Sequence, residues 1–211
     1  MNEQEILGML GKVGAVITNS HVVYTSGKHG SAYVNKDAVY PYTAITSRLC
    51  RNIAKRFLDE QVEAVIAPAI GGVILAQWTA YRLYKFRMRE VLALYAEKAD
   101  DAFVIKRGYD KLIAGKRALV VEDVLTTGGS VKKVVDAARQ AGALVVGVGA
   151  LCNRGGLTAQ TLGVARLEAL VSVKLDAWDA ADCPLCARNV PINASVGKGR
   201  EFLERQQRPQ T

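Results

Sequence analysis

Two adjacent acids, followed by a turn rich in hydroxyl groups and glycine, form the most informative segment of the chain. Glu122 and Asp123 come after an apolar run, and a helical pattern follows the turn. The turn consists of Thr126, Thr127, Gly128, Gly129 and Ser130. Hydroxyls and successive backbone N–H groups at a helix N-terminus bind a dianionic phosphate without needing a lysine. The turn therefore predicts a site for a phosphate monoester.

The two acids strengthen that prediction. Adjacent carboxylates at the end of an apolar strand repel each other and cost stability unless they meet cations or hydroxyls. Ribose 2′ and 3′ hydroxyls, with Mg²⁺ nearby, supply both. A structural alternative stays open for the turn itself, in which Ser130 only caps the helix and the glycines only form a tight turn. A Walker A nucleotide site is excluded, because no Gly-Lys-Ser/Thr follows a strand.

The elements that must position these groups alternate between short β-branched runs and helical periodicities. This pattern predicts an α/β fold with a central, mostly parallel sheet flanked by helices. Predicted strands cover 62–68, 91–95, 117–121 and 144–151, and predicted helices cover 45–57, 72–84 and 131–138. Ligands bind outside the carboxyl ends of the strands in such a sheet, so the turn at 126–130 lies where a site is expected.

Length and pattern together predict the domain organisation. A chain of 211 residues is expected to form a single domain, residues 1–211. Residues 1–40 and about 176–203 fall outside the alternating pattern and are predicted to form a cap over the core, with 204–211 as a mobile tail. The polar segment 96–115 lies between two strands, and a loop of that length is typically a functional lid or disordered.

Composition narrows the partners and the compartment. No apolar run approaches the roughly 18 to 20 residues of a membrane helix, and the N-terminus lacks a basic n-region, so the protein is expected to be cytoplasmic, with no membrane partner. Four cysteines are too few for a secreted disulfide framework, which predicts reduced thiols. The net charge of +8 indicates an anionic partner, but the basic residues form no block, which weighs against nucleic acid.

Residues 120–130, with the sequence VVEDVLTTGGS, resemble the motif of type I phosphoribosyltransferases that binds 5-phosphoribosyl-1-pyrophosphate (PRPP). The resemblance extends over nearly the whole chain and is closest to orotate phosphoribosyltransferases. It implies a type I phosphoribosyltransferase-like fold with a small hood from the N-terminal segment. It also implies Mg²⁺-dependent transfer of ribose 5-phosphate from PRPP to orotate, giving orotidine 5′-monophosphate and pyrophosphate in UMP biosynthesis. The resemblance further implies a homodimer whose subunits share a mobile loop.

Two stretches are assigned to PRPP. The sequence PAIGG at 68–72 resembles the family's pyrophosphate loop, where small residues let backbone N–H groups approach a diphosphate. A structural turn explains these glycines almost as well, and the spacing to the main motif favours the binding interpretation. Mg²⁺ would be carried by PRPP near Glu122 and Asp123, without direct protein ligation. The predicted PRPP-binding residues are Ala69, Ile70, Gly71, Gly72, Glu122, Asp123, Val124, Leu125, Thr126, Thr127, Gly128, Gly129 and Ser130.

Two further stretches are assigned to orotate by the resemblance. The segment SGKHGSAYVN at 26–35 is similar to the family segment that closes over the base, which assigns Tyr33 and Val34 to orotate. Arg154, in the sequence NRGG at 153–156, matches the arginine that holds the orotate carboxylate. Guanidinium geometry favours such a bidentate pairing, and an ammonium group does not. Thr126 completes the predicted orotate contacts.

The polar segment 96–115 resembles the family's mobile catalytic loop. Lys98, Lys106 and Arg107 are predicted to stabilise the leaving pyrophosphate, and Asp123 to stabilise positive charge on the sugar. The alternative for any one basic residue is a solvated surface charge. The chain departs from the commoner family pattern at three positions, where many members have lysine, arginine and aspartate: Thr25, Glu97 and Asn153.

One pattern is set aside, and two rival functions stay open. Cys183 and Cys186 form half of a zinc pattern, but neither His21 nor His29 lies at ligand spacing. Two reduced thiols are therefore expected, and a zinc site shared across a dimer is the alternative. The first rival is a purine or xanthine salvage phosphoribosyltransferase, because the fold does not choose the base. The second is a PRPP-sensing regulator that binds nucleic acid, which is disfavoured because the sequence shows no recognition-helix pair.

Overall fold

The structure is a computed structural model that describes residues 1–24, 26–173 and 175–207, so Thr25 and the end of the predicted tail, 208–211, lie outside the described residues. The helices are α1 (Glu3–Lys12), α2 (Thr43–Arg56), α3 (Val73–Arg87), α4 (Tyr109–Ile113), α5 (Gly129–Gln140), α6 (Ala159–Leu162), α7 (Pro184–Ala187) and α8 (Gly199–Gln207). The strands are β1 (Val16–Ile17), β2 (Val22–Val23), β3 (His29–Gly30), β4 (Tyr33–Val34), β5 (Ala64–Pro68), β6 (Leu92–Ala99), β7 (Ala102–Val104), β8 (Arg117–Leu125), β9 (Leu144–Asn153) and β10 (Leu167–Ser172).

The largest sheet has six strands in the order β10-β9-β8-β5-β6-β7. All neighbours are parallel except β6 and β7, which pair antiparallel at one edge. The chain runs from β5 to β6 on one side and then crosses to β8, β9 and β10 on the other. The strand order therefore reverses between β5 and β8, and the carboxyl ends at such a reversal are where open α/β sheets bind ligands. The predicted α/β fold is confirmed.

The helices pack on this sheet as their periodicities predict. Leu49 and Ile53 on α2 are buried, as are Val131 and Val134 on α5. All five residues of β5 are buried, which is typical of a central parallel strand covered on both faces. The core between α5 and the sheet is built mainly from aliphatic side chains. This packing fixes the two elements, β8 and α5, that flank the predicted phosphate turn.

The chain divides into two compact units. The first comprises 1–6 and 40–173, and it contains the six-stranded sheet. The described part of the second comprises 7–24, 26–39 and 175–207. In the second unit, β1 pairs antiparallel with β4 and β2 pairs antiparallel with β3. Residues 204–207, predicted to begin a mobile tail, form the last turn of α8.

The prediction that 96–115 is a loop is wrong for most of its length. Strand β6 continues to Ala99, turns back into β7, and α4 follows. Phe103 packs against the core cluster, and the rings of Tyr95 and Tyr109 meet edge to face with centroids 5.8 Å apart. Because β7 is an edge strand, one side of the hairpin is exposed to solvent. Its polar residues interrupt the apolar pattern by which a strand is recognised in the sequence. Strand β10 was also missed.

His21 and His29 do not lie at ligand spacing from Cys183 and Cys186 in the sequence, but the fold brings the four side chains together. In the second unit, His21 forms a bridge to Ile192 and His29 forms a bridge to Trp178. These bridges bring both imidazole rings against the two thiols.

Within the part of the chain that the structure describes, no helix has the length and apolar character needed to cross a membrane.

Candidate active site

The turn after β8 leads directly into the N-terminus of α5. The residue that caps this helix is Gly128, with φ +78°, and Ser130 lies inside the first helical turn. The structural alternative in which Ser130 is the N-cap is therefore wrong. Thr126, Thr127 and Ser130 are exposed, and their hydroxyls flank backbone N–H groups at the positive end of the helix dipole. This arrangement suits a phosphate dianion.

Gly128 is required by both its conformation and its surroundings. A φ of +78° lies in the left-handed region, which favours glycine. A Cβ at this position would lie 2.8 Å from side-chain atoms of both Leu157 and Leu162. The turn therefore packs tightly against the segment that follows β9.

The backbone of Arg154 and Gly155 is bonded directly to the end of β8. The N–H groups of both residues donate to the carbonyl of Leu125, at 2.8 and 3.0 Å. A Cβ on Gly155 would overlap the carbonyl of Thr126, so only glycine fits there. Because Leu125 pairs with Asn153 in the sheet, β8 and β9 end at the same level. Arg154 is thereby positioned beside the phosphate turn.

Asn153 has a structural role in the turn after β9. Its side chain is buried, its Nδ2 donates to the carbonyl of Leu157 at 2.8 Å, and its Oδ1 accepts from the N–H of Leu157 at 3.0 Å. An amide makes both bonds at once, whereas an ionised carboxylate only accepts. The departure at this position therefore shapes the Arg154 loop.

The two acids lie within β8, near its carboxyl end, and both are buried, with 8% exposure for Glu122 and 4% for Asp123. Neighbouring residues of a strand point to opposite faces, so the mutual repulsion expected from the sequence is relieved by the pleat. Asp123 accepts a hydrogen bond from the hydroxyl of Tyr40 at 3.2 Å and another from the N–H of Val124 at 2.7 Å. The carboxylate is thus held in a defined orientation.

Tyr40 is a site residue that the sequence did not reveal. It lies 83 positions from Asp123, and no spacing or motif links the two. Burial, followed by the charge of Asp123 and the hydrogen bond to it, raises the pKa of Tyr40 far above its ordinary value. The phenol therefore remains protonated and keeps donating to the carboxylate.

We expect Tyr40→Phe to lower kcat/KM by roughly 10- to 100-fold, because a hydrogen bond to a charged group contributes about 1.5–3 kcal/mol. Steady-state kinetics, with the midpoint of thermal unfolding measured alongside, checks the prediction. Tyr42→Phe is the matched control, since Tyr42 is 52% exposed and should tolerate the change. Equal kinetics for the two variants would show that Tyr40 does not orient Asp123.

The turn after β5 lies beside the phosphate turn at the reversal of strand order. Ala69 donates its N–H to Ala96 at 2.8 Å, the Ala69–Ile70 peptide is cis, and the Ile70 side chain is 89% exposed. Gly72 is buried, and a Cβ there would lie 2.7 Å from that of Ala67. The N–H of Gly72 donates to the carbonyl of Pro68 at 3.1 Å, which closes a short turn at the carboxyl end of β5.

The three basic residues predicted to be catalytic do not converge in this conformation. Lys98 is exposed on β6, and Lys106 is exposed just after β7. Arg107 donates through Nε to the carboxylate of Glu97 at 2.7 Å, which raises the pKa of the guanidinium. Because positions 97 and 98 alternate along β6, Lys98 points to the face opposite the ion pair between Arg107 and Glu97.

Tyr33 and Val34 belong to the second unit. They form β4, paired with Ile17 and Val16 respectively, and both are half-buried. Their strand is short, and its regular pairing fixes which way each side chain points.

The strand order reverses between β5 and β8, and the turn at 126–130 leads into α5 beside this reversal. The family model for the phosphoribosyl transferase domain matches residues 36–166. The orotate phosphoribosyltransferase of Desulforamulus reducens is 38% identical over 191 residues, which cover 90% of this chain and 95% of the relative. The chain therefore belongs to the phosphoribosyltransferases and, among them, to the orotate phosphoribosyltransferase family.

Solved structures give the same result for the fold. The orotate phosphoribosyltransferase of Aeropyrum pernix superposes with a TM-score of 0.62 at 26% identity, covering 80% of this chain and 94% of that one. The orotate phosphoribosyltransferase of Mycobacterium tuberculosis in complex with PRPP superposes with a TM-score of 0.63 at 21% identity, covering 81% and 95%. The predicted family is confirmed.

Proposed function

We propose that the protein transfers ribose 5-phosphate from PRPP to orotate, releasing pyrophosphate and forming orotidine 5′-monophosphate for pyrimidine biosynthesis. The observation that carries this proposal is the meeting of three turns, after β5, β8 and β9, at one edge of the sheet. In this proposal the turn after β5 binds the diphosphate, the turn after β8 binds the 5-phosphate, and the turn after β9 carries Arg154.

In this proposal the 5-phosphate of PRPP binds the turn at 126–130, and the diphosphate binds the turn at 69–72. The ribose hydroxyls lie near Glu122 and Asp123. Cleavage of the bond at C1 builds positive charge on the sugar and negative charge on pyrophosphate. The oriented carboxylate of Asp123 stabilises the first, and electrostatic stabilisation of this kind is commonly the largest contribution to catalysis.

The site suits a magnesium ion that enters with PRPP. Mg²⁺ prefers oxygen ligands and keeps much of its coordination from water and substrate phosphates. The ion would be carried by PRPP without direct protein ligation, near the carboxylates of Glu122 and Asp123 at this edge of the sheet. When bound, the ion supplies charge neutralisation for the diphosphate leaving group.

Arg154 contributes to binding of the base, and the basic residues on and after the hairpin of β6 and β7 contribute to release of pyrophosphate. The guanidinium of Arg154 pairs with the carboxylate of orotate, and the resemblance adds Thr126, Tyr33 and Val34 to the base contacts. Lys98, Lys106 and Arg107 neutralise the leaving pyrophosphate when the hairpin of β6 and β7 and the residues after it move toward the bound substrate. Arg107 must then exchange Glu97 for the diphosphate, a change that an exposed ion pair permits because such pairs contribute little stability.

Formation of orotidine 5′-monophosphate, followed by chromatography with purified protein, tests the reaction. We expect product only when PRPP, orotate and Mg²⁺ are all present, and we expect EDTA to abolish turnover until excess Mg²⁺ is added. Undiminished turnover in EDTA would remove Mg²⁺ from the proposal. Hydrolysis of PRPP without nucleotide formation would contradict base transfer.

We also propose a homodimer, as the resemblance implies, and an apolar face of α3 supports it. Ile74 and Tyr81 are each 41% exposed, and the ring of Trp78 meets that of Tyr81 edge to face at 5.8 Å. Positions 74, 78 and 81 follow the i, i+4, i+7 spacing that places side chains on one face of a helix. An apolar face of this kind is typical of a surface covered by a second copy of the chain.

Location in the cytoplasm remains a prediction.

We expect Tyr81→Glu to shift the protein from dimer to monomer, because dimerisation would bury the introduced charge without a partner. Sedimentation velocity at several protein concentrations measures the shift. Gln140→Glu is the control, since it adds the same charge at the exposed end of α5. A Tyr81→Glu dimer as tight as the control would place the interface elsewhere.

A further inference from the structure

Four side chains of metal-ligand type meet in the second unit, and none of them is assigned to PRPP or orotate. They are His21, His29, Cys183 and Cys186, and their ligand atoms all lie within 4.8 Å of one another. Three of the four residues are buried, and Cys186 is half-buried. Two imidazoles and two thiols form the ligand set of a Cys2His2 zinc site.

The distances within the cluster are close to those of a tetrahedral zinc centre. Zn–N bonds of about 2.0–2.1 Å and Zn–S bonds of about 2.3 Å imply N···S separations of about 3.6 Å and an N···N separation of about 3.3 Å. His21 Nε2 lies 3.6 Å from the Sγ of Cys183 and 3.7 Å from that of Cys186. His29 Nδ1 lies 3.3 Å from the Sγ of Cys186 and 2.9 Å from His21 Nε2.

The ring of His21 is oriented as a metal ligand. Its Nδ1 lies 2.7 Å from the carbonyl of Val190, and a carbonyl only accepts hydrogen bonds, so the proton is on Nδ1. The lone pair of Nε2 therefore faces the cluster. A hydrogen bond from the outer ring nitrogen to a backbone carbonyl is the usual way in which a ligating histidine is fixed.

Hydrogen bonds within the protein offset only part of the free-energy cost of burying these four polar groups. His29 is fully buried, and its Nε2 has no hydrogen-bond partner among the described residues. Its ring packs edge-on against Phe202, with centroids 4.9 Å apart. Thiols supply only weak hydrogen bonds in return.

We propose that His21, His29, Cys183 and Cys186 bind one zinc ion in a tetrahedral, structural site. Four protein ligands complete the coordination shell, which leaves no position for water or substrate and distinguishes a structural site from a catalytic one. Two thiolates and two imidazoles in tetrahedral geometry select zinc over magnesium or calcium, which prefer oxygen ligands. This site is separate in its chemistry from the magnesium that accompanies PRPP.

The ion would join two segments that are far apart in the chain. His21 directly precedes β2 and His29 begins β3, whereas Cys183 caps α7 and Cys186 lies within it. The β-strands of this unit are only two residues long, so they supply few hydrogen bonds of their own. A metal that closes so long a loop is expected to stabilise the unit, because binding energy becomes folding energy.

Metal analysis of the full-length protein, purified without chelators, tests this proposal. We expect one zinc per chain by mass spectrometry, and a loss of at least about 5 °C in Tm after zinc is removed. Cobalt substitution should give tetrahedral d–d bands and thiolate charge-transfer bands. The double variant Cys183→Ser/Cys186→Ser should lose the metal, and Cys50→Ser/Cys152→Ser, which removes two thiols elsewhere, should retain it.

The wild-type cobalt spectrum decides the matter even if the double variant fails to fold. Octahedral cobalt bands without thiolate charge transfer would overturn the proposal, as would wild-type protein that binds no zinc after reconstitution. Stoichiometric iron in place of zinc, or a Cys183–Cys186 disulfide in the freshly purified protein, would also overturn it. None of these outcomes depends on turnover of PRPP, so they stand apart from the proposed function.

Discussion

Gly155→Ala is expected to reduce kcat/KM by about 100-fold or more, because the added methyl group overlaps the carbonyl of Thr126. Backbone cannot give way as a flexible side chain does, so the Arg154 loop and the phosphate turn must move apart. A displacement of about 1 Å in a positioning element costs roughly 10²-fold in rate. Steady-state kinetics with PRPP and orotate, together with thermal unfolding, measures the effect.

Gly156→Ala is the matched control for that substitution. Gly156 has a φ of +62°, so alanine is strained there too, but nothing lies within 4 Å of the added Cβ. The strain costs about 1–2 kcal/mol of stability without displacing the phosphate turn. If both variants lose activity equally, backbone strain rather than contact with Thr126 controls this loop.

The second large effect is expected at Arg154. Arg154→Ala should lower kcat/KM for orotate by roughly 10²- to 10³-fold, because losing one partner of a buried charge pair costs about 3–4 kcal/mol. Arg154→Lys should recover only a small part of that loss, since an ammonium group lacks the bidentate geometry. The affinity for PRPP alone, measured by calorimetry, should change little in either variant.

An equal loss of orotate turnover and PRPP affinity in Arg154→Ala would contradict the assignment. The arginine would then act on the phosphate turn, to which its backbone is joined through Leu125. Arg139→Ala provides a control for removal of a guanidinium, because Arg139 lies on the exposed side of α5 and donates to the carbonyl of Gly163.

Local patterns made much of the fold predictable. The apolar run before Glu122, the glycines of the phosphate turn and the helical spacing of Val131, Val134 and Val135 are contiguous in sequence. Each of these three patterns predicts one strand, turn or helix. Together they predict β8, the turn after it and α5, and with them a phosphate site. The parallel sheet follows from the repetition of this unit.

Contacts between distant positions were not predictable in the same way. Tyr40 reaches Asp123, and His21 and His29 reach Cys183, only because the tertiary fold brings them together. The separation of His21 and His29 follows from the β2–β3 hairpin and matches no common metal-ligand spacing. The hairpin of β6 and β7 was missed for another reason, since an edge strand tolerates the charges that usually mark a loop.

A base-competition assay tests whether this chain uses PRPP to convert orotate. Purified wild-type protein is incubated with PRPP and Mg²⁺, and orotate, hypoxanthine, xanthine and adenine are supplied separately and then together. We expect PRPP-dependent loss of orotate absorbance, unaffected by the purines, and no purine nucleotide. Inert orotate with turnover of any purine would contradict it. Binding of nucleic acid that responds to PRPP, without turnover of any base, would contradict it equally and favour a regulator.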